Sequence, residues 1–309
     1  MKKIFLILLI SCFGIVAAQE NTFVSEELSI TPLVDGTLLL PDTSEAIPLV
    51  IIIAGSGPTD RNGNQQMAKN NALKFLAEGL YKEDIASFRY DKRILKIMKS
   101  GNIDETKIKF DAFMEDAIAV LNFFKNDKRF SKIHIAGHSQ GSLIGMVAAQ
   151  KGADGFISIA GAGQEIDDVI VDQLGKQAPA LQESARKAFD DLRVNGVTTN
   201  YSPGLASIFR PAIQPFLANW MQYDPKVEIS KLTIPVLIIQ GDKDVQVQVS
   251  EAELLKQAAP EASYELITNM NHILKEIKGD NLENQKSYNE YNRPVMPEVI
   301  TAVATFVKK

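Results

Sequence analysis

The stretch PLVIIIAG, from Pro48 to Gly55, limits the fold of this 309-residue chain more than any other. Its apolar residues follow one another without a polar alternation, and Gly55, Gly57 and Pro58 end the run. A strand with one face in water alternates; this one reads as buried on both faces, which requires helices above and below its sheet. The sequence supplies them. A helical pattern covers Asn70–Tyr81 and a strand, IASFRY, covers Ile85–Tyr90. Lys109–Asn126 is amphipathic, with Phe113, Ala117, Val120, Leu121 and Phe124 on one face. A strand at Ser131–Ala136, a helix after Ser139 and a strand at Gly155–Gly161 follow. Strands alternating with helices predict an α/β domain with a mostly parallel central sheet flanked by helices. Ahead of them, ELSITPLV and TLLLP around Asp35-Gly36 read as a β-hairpin turning at that pair.

The alternation breaks between Gln164 and Ser230, a long helical block without a strand signal. It resumes with a strand at Ile234–Gly241, a helix at Val249–Ala259, a strand at Ser263–Thr268 and a last helix at Pro297–Lys308. The expected organisation is a core formed by residues 19–163 and 231–309, with residues 164–230 inserted as a helical cap over the sheet's active end. Phe209, Phe216, Leu217, Trp220, Met221 and Tyr223 are candidates to line a substrate pocket; the alternative is that they pack the cap onto the core.

The first eighteen residues stand apart. Lys2 and Lys3 precede the apolar run IFLILLISCFGIVAA, which ends in small residues before Gln19. This reads as a secretory signal peptide cleaved after Ala18, so the mature protein is expected in the periplasm or outside the cell. Membrane association would need a retained leader or lipidation at Cys12, the chain's single cysteine. The formal charge of −5 and the absence of a Lys/Arg cluster argue against a nucleic-acid partner.

The strand at Ser131–Ala136 runs into Gly137-His138-Ser139-Gln140-Gly141. A serine at the carboxyl end of a parallel strand, at a helix entrance, sits where such sheets bind ligands. Glycines on either side relieve the sharp strand-to-helix turn that a nucleophile elbow requires. A serine hydroxyl needs a base, and the chain has three histidines. His138 is held within the elbow and points elsewhere. His134 alternates with Ile133 and Ile135 on the strand and reads as structural. His272, in NMNHILK after the last strand, remains. The base needs a carboxylate to fix its tautomer; Asp242 and Asp244 both follow the strand ending at Gly241, and the spacing from that glycine favours Asp244. For an oxyanion hole, the backbone N–H of Gln140 and of Ser56, in the glycine-rich loop after Pro48–Gly55, are the candidates.

With GHSQG, GDKD and NMNH in this order, the chain from about Ala46 to its end resembles the α/β-hydrolase superfamily. GSGPTDRNGN and FRYDKR resemble a subgroup of bacterial serine carboxylesterases, from which it departs by having Ile94-Leu95-Lys96, not glycines, after Arg93. The resemblance implies an α/β-hydrolase fold, hydrolysis of short-acyl carboxylic esters as small-molecule substrates, and no cofactor. The same triad serves peptidases and acyltransferases, and a silent binding protein is the reading from another class. The scattered histidines have no metal-ligand spacing. Asp60, Arg61, Asp91 and Arg93 could form a charged network under the loops or remain solvated surface charges.

Overall fold

The computed structural model describes residues 23–101 and 103–309; the leader, with Cys12, lies outside them. Eight strands form one sheet: β1 (Ser25–Thr31), β2 (Val34–Leu39), β3 (Ile47–Ile53), β4 (Ala86–Tyr90), β5 (Phe130–His138), β6 (Gly155–Ile159), β7 (Val236–Gly241) and β8 (Ser263–Ile267). Their order is β1-β2-β4-β3-β5-β6-β7-β8. β1 and β2 pair antiparallel, β2 meets β4 antiparallel, and every pairing from β4 across to β8 is parallel.

The unbroken apolar run becomes β3, near the sheet's centre, buried along its whole length except at Pro48. Leu49, Ile51 and Ile53 face a core shared with helices α3 (Asp111–Phe124) and α4 (Gln140–Ala149). Val50 and Ile52 face the opposite core, shared with α1 (Ala72–Tyr81) and α12 (Pro297–Val307). Each such side chain withdrawn from water contributes roughly 1.5–3 kcal/mol before chain entropy is counted. From β3 the chain moves outward to β4, whereas from β5 it moves the opposite way to β6. A crevice therefore opens between the loops after β3 and β5, at the carboxyl edge of the sheet.

The hairpin turns earlier than the Asp-Gly pair suggests. Pro32 and Leu33 make the turn, while Asp35 and Gly36 pair within β2 opposite Ser29 and Leu28. Gly36 answers to packing: a β-carbon there would lie 2.2 Å from the ring of Phe88. Two helices carry no periodic apolar signal, α2 (Arg93–Lys99) and α11 (Asn281–Ser287). α2 buries none of its side chains and α11 buries only Asn284 and Ser287, so neither has an apolar stripe to read. α2 takes in Ile94, Leu95 and Lys96 directly after Arg93.

Between β6 and β7 lie five α-helices: α5 (Ile166–Gln177), α6 (Pro179–Asn195), α7 (Ala206–Phe209), α8 (Gln214–Trp220) and α9 (Pro225–Ser230). They enclose their own core, in which Phe189, Leu192, Phe209, Leu217 and Met221 are buried together. β7 then returns the chain to the sheet, and α10 (Val249–Ala258) connects it to β8.

Candidate active site

Ser139 links β5 to α4 at φ 55° and ψ −123°, a conformation that is costly for a residue with a side chain and persists only where its surroundings enforce it. Those surroundings are backbone. A β-carbon on Gly137 would come within 2.1 Å of the Gly141 carbonyl oxygen, and one on Gly141 within 2.4 Å of the Ile53 carbonyl oxygen. The Ser139 N–H donates to Ile159 O at 2.9 Å, tying the elbow to β6. Gln140 opens α4, so its N–H has no acceptor within the helix and sits at the positive end of the helix dipole.

The loops after β7 and β8 bring His272 and Asp244 together. His272 Nδ1 lies 2.7 Å from Asp244 Oδ2, with both side chains buried. The carboxylate is itself fixed: Oδ1 accepts from the N–H groups of Gln246 at 2.8 Å and Val247 at 2.9 Å. An acceptor at Nδ1 places the proton there and leaves Nε2 free to accept one. Asp242 does other work, accepting from Asn269 N–H at 2.6 Å across the β7–β8 turns. Ser139 and His272 line one cavity of about 220 Å³ together with Ser56 and Gln246.

His138 and Lys92 support this arrangement, and sequence reasoning gave neither a role. His138 Nε2 donates to the His272 carbonyl oxygen at 2.7 Å, and the two rings lie 4.9 Å apart. Burial lowers the His138 imidazole to about 4, so it stays neutral and suits this single donation. Lys92 is buried, with Nζ donating to Gly55 O at 2.8 Å and to Gln140 Oε1 at 2.6 Å. It thereby joins the loop after β3 to the residue after Ser139, the two segments expected to supply oxyanion-hole N–H groups. Its ammonium lies 4.5 Å from the centroid of the Phe113 ring. Burial lowers it to about 7. The DKR triplet carried no signal of this, because a lysine among charged residues reads as surface.

His134 is buried against Phe306, and burial lowers its imidazole to about 4. The four charged residues singled out in the sequence divide. Arg61 donates to Asp91 through its backbone N–H at 2.8 Å and its guanidinium at 2.7 Å, and also pairs with Glu27. Asp60 accepts from the N–H groups of Asn62 and Asn64 within its own loop. Arg93 makes a two-pronged contact with Asp116, both distances 2.7 Å.

The aromatic candidates also divide. Phe209 is fully buried against Phe189 and Tyr201 in the insertion's core, as are Leu217 and Met221, so none of the three faces a pocket. Helix periodicity could not reveal this, because a helix with its own partners has an apolar face turned away from the sheet. Tyr223 donates to Asp111 Oδ1 at 2.7 Å and packs on Phe110, anchoring the insertion to α3 and not lining a pocket. Trp220 stacks on Phe110 at 5.0 Å and lines two cavities. One, of about 300 Å³, holds Ser139, Leu143, Ile166, Val169 and Ile170. The other, of about 400 Å³, holds Lys92, Ile94, Phe113 and Phe216. Ser56 and Gln140 line both.

No family model matches the chain. A curated relative, Esterase EstD of Thermotoga maritima, is 26% identical over 297 residues, covering 94% of this chain and 69% of its own. Among solved structures, Est1E from Butyrivibrio proteoclasticus superposes with a TM-score of 0.57 at 16% identity, covering 92% of this chain and 99% of its own. A Pyrococcus furiosus esterase does so with a TM-score of 0.55 at 15% identity, covering 93% and 91%. Their shared architecture is an α/β-hydrolase fold, with the mostly parallel sheet and flanking helices seen here.

Proposed function

We propose that this chain is an esterase-like member of the α/β-hydrolase superfamily, a carboxylesterase-type serine hydrolase working through Ser139, His272 and Asp244. The observation that carries the reading is the buried His272–Asp244 contact of 2.7 Å in the cavity that also holds the strained Ser139. His272 Nε2 takes the hydroxyl proton as Ser139 Oγ attacks the acyl carbon. The tetrahedral oxyanion lies against the N–H groups of Ser56 and Gln140, where charge stabilisation is the largest single contribution to rate. As the carbon–oxygen bond to the alcohol breaks, His272 returns the proton to the departing oxygen. Water then attacks the acyl-enzyme by the same route, releasing the acid and restoring Ser139.

The apolar 300 Å³ cavity beside Ser139 suits a short acyl chain. Residues 164–230 act as a cap whose helix α5 forms one wall of that cavity. The leader at residues 1–18 directs the enzyme to the periplasm or beyond.

The test is hydrolysis of p-nitrophenyl acetate, butyrate and octanoate by the protein from Gln19 onward. Turnover should be highest on the two shorter esters and fall at least about a thousandfold in Ser139→Ala. Asp244→Asn should reduce kcat by about 10³–10⁴-fold with an unchanged melting temperature, because an amide favours the wrong histidine tautomer. Unaltered turnover in either variant would remove that residue from the mechanism.

A further inference from the structure

One cleft at this end of the molecule has a composition unlike that of the cavity beside Ser139. It encloses about 600 Å³ between α5 of the insertion, the loop after β7 and helix α11. Eight of its fifteen lining side chains are carboxamides, whereas the cavity beside Ser139 is lined mainly by apolar groups. A carboxamide offers donors and an acceptor on one planar group, and a hydroxyl needs both. Gln177, Gln248, Asn281 and Gln285 are exposed and, among the described residues, their side chains make no hydrogen bond within the protein.

The cleft's exposed charges balance, one carboxylate against one ammonium, and its second carboxylate is buried. Glu251 is occupied: Oε2 accepts from the N–H groups of Gly163 and Gln164, and Oε1 from Gln164 Nε2 at 2.6 Å. Asp172 and Lys176, one turn apart on α5, bring opposite charges to the rim. An anion or cation would lose hydration there without a dedicated partner. An apolar group would strip water from the amides and leave them unpaired.

Position gives the cleft its part in the reaction. Gln246 and Tyr288 line both this cleft and the cavity containing Ser139 and His272. The group that leaves must take its proton from His272, so the alcohol half of an ester departs on that side, past Gln246 and Tyr288. The acyl half is left to the apolar cavity. Gln246 Nε2 donates to the Tyr288 hydroxyl at 2.8 Å, which fixes the shared wall and leaves the phenol proton available to a ligand.

We propose that this cleft is the alcohol subsite, and that it receives a neutral polyhydroxylated ring, a sugar unit carrying a short acyl ester. The proposal rests on the serine-esterase reading above. A volume of 600 Å³ falls inside the range of roughly 300–1,000 Å³ typical of small-molecule sites. Sites built to hydrogen-bond hydroxyls discriminate strongly against analogues that lack them.

The decisive comparison uses two butyrate esters of similar shape, methyl 6-O-butyryl-glucopyranoside and cyclohexylmethyl butyrate, with p-nitrophenyl butyrate alongside. The glucoside ester should exceed the cyclohexylmethyl ester in kcat/KM by about tenfold or more, the equivalent of one or two hydrogen bonds. In the double variant Asn281→Ala/Gln285→Ala that ratio should collapse toward one. Both positions are exposed on α11, so the melting temperature should hold. Preference for the cyclohexylmethyl ester, or a ratio that the double variant leaves intact, overturns the sugar subsite while p-nitrophenyl butyrate turnover keeps the esterase reading. Failure on all three esters overturns the esterase reading and the subsite with it.

Discussion

The elbow around Ser139 and the helical insertion over it are built by different means. The elbow is backbone against backbone: the glycine positions flanking Ser139 have main-chain atoms where a β-carbon would go. The insertion is side chain against side chain, with a core of its own and an aromatic seam in which Trp220, Phe216 and Tyr223 rest on α3. Main-chain crowding has few solutions and fixes atoms closely. Side-chain packing admits many substitutions of similar volume. Ser139 stands on the first kind of support, and the residues that shape the pockets stand largely on the second.

A pair of glycine replacements measures this difference most directly. In Gly137→Ala the new β-carbon meets the Gly141 carbonyl at 2.1 Å, so β5 and α4 must separate and Ser139 must move. A loss of about 3 kcal/mol or more, with loss of turnover, is expected. Gly196, at the end of α6, has φ 73° and open space around its missing β-carbon. Gly196→Ala should therefore cost only about 1 kcal/mol, from the left-handed conformation alone. Denaturant titration of the two variants gives both values. Equal losses would mean that the elbow is no more constrained than the insertion.

The same division explains what could be read in advance. The placement of Ser139, Asp244 and His272 at one end of the sheet was legible because each lies within five residues of the end of a strand whose apolar run can be recognised, and because turn sterics dictate glycine beside the serine. The parallel sheet was legible in β3, whose unbroken burial leaves no other explanation. The hairpin turn was misplaced because Gly36 makes room for the Phe88 ring, and a glycine that serves packing has the same letter as one that serves a turn. Whether Phe209 and Tyr223 line a pocket or pack the insertion stayed open in the sequence, because pattern alone does not say which helix a face meets. His138 and Lys92 went unassigned because their partners, the His272 carbonyl and the Gln140 side chain, are distant in sequence.

Lys92 sharpens the comparison, as a side chain placed among backbone supports. Its folded value of about 7 lies below the 10.5 of an unhindered lysine, and burial is the cause. Between these two values the unfolded chain binds more proton than the folded one, so stability rises with pH through this window. Below about pH 7 the full penalty for burying the ammonium is present; above about 10.5 it is gone. From pH 7 to 9 the gain should be about 2 kcal/mol, and Lys92→Met should lack it. The variant should also lose about tenfold in kcat, because Gly55 and Gln140 lose their common tie. Parallel pH dependences of stability in the two proteins would show that the ammonium is not buried as described.

The smallest effect belongs to the insertion. Trp220 is a wall common to the 300 Å³ cavity beside Ser139 and the 400 Å³ cavity bordered by Lys92 and Phe113. Removing its indole in Trp220→Ala opens one into the other. Each methylene newly sheltered from water is worth about 0.8 kcal/mol, but the opened space is also more hydrated and less well packed. The kcat/KM ratio of p-nitrophenyl octanoate to acetate should therefore rise only about threefold to tenfold, with kcat on the acetate nearly constant. A fall in that ratio would place the acyl chain elsewhere. A collapse of turnover on every ester would show that the insertion does more than shape the pocket, and that the elbow depends on it for its geometry.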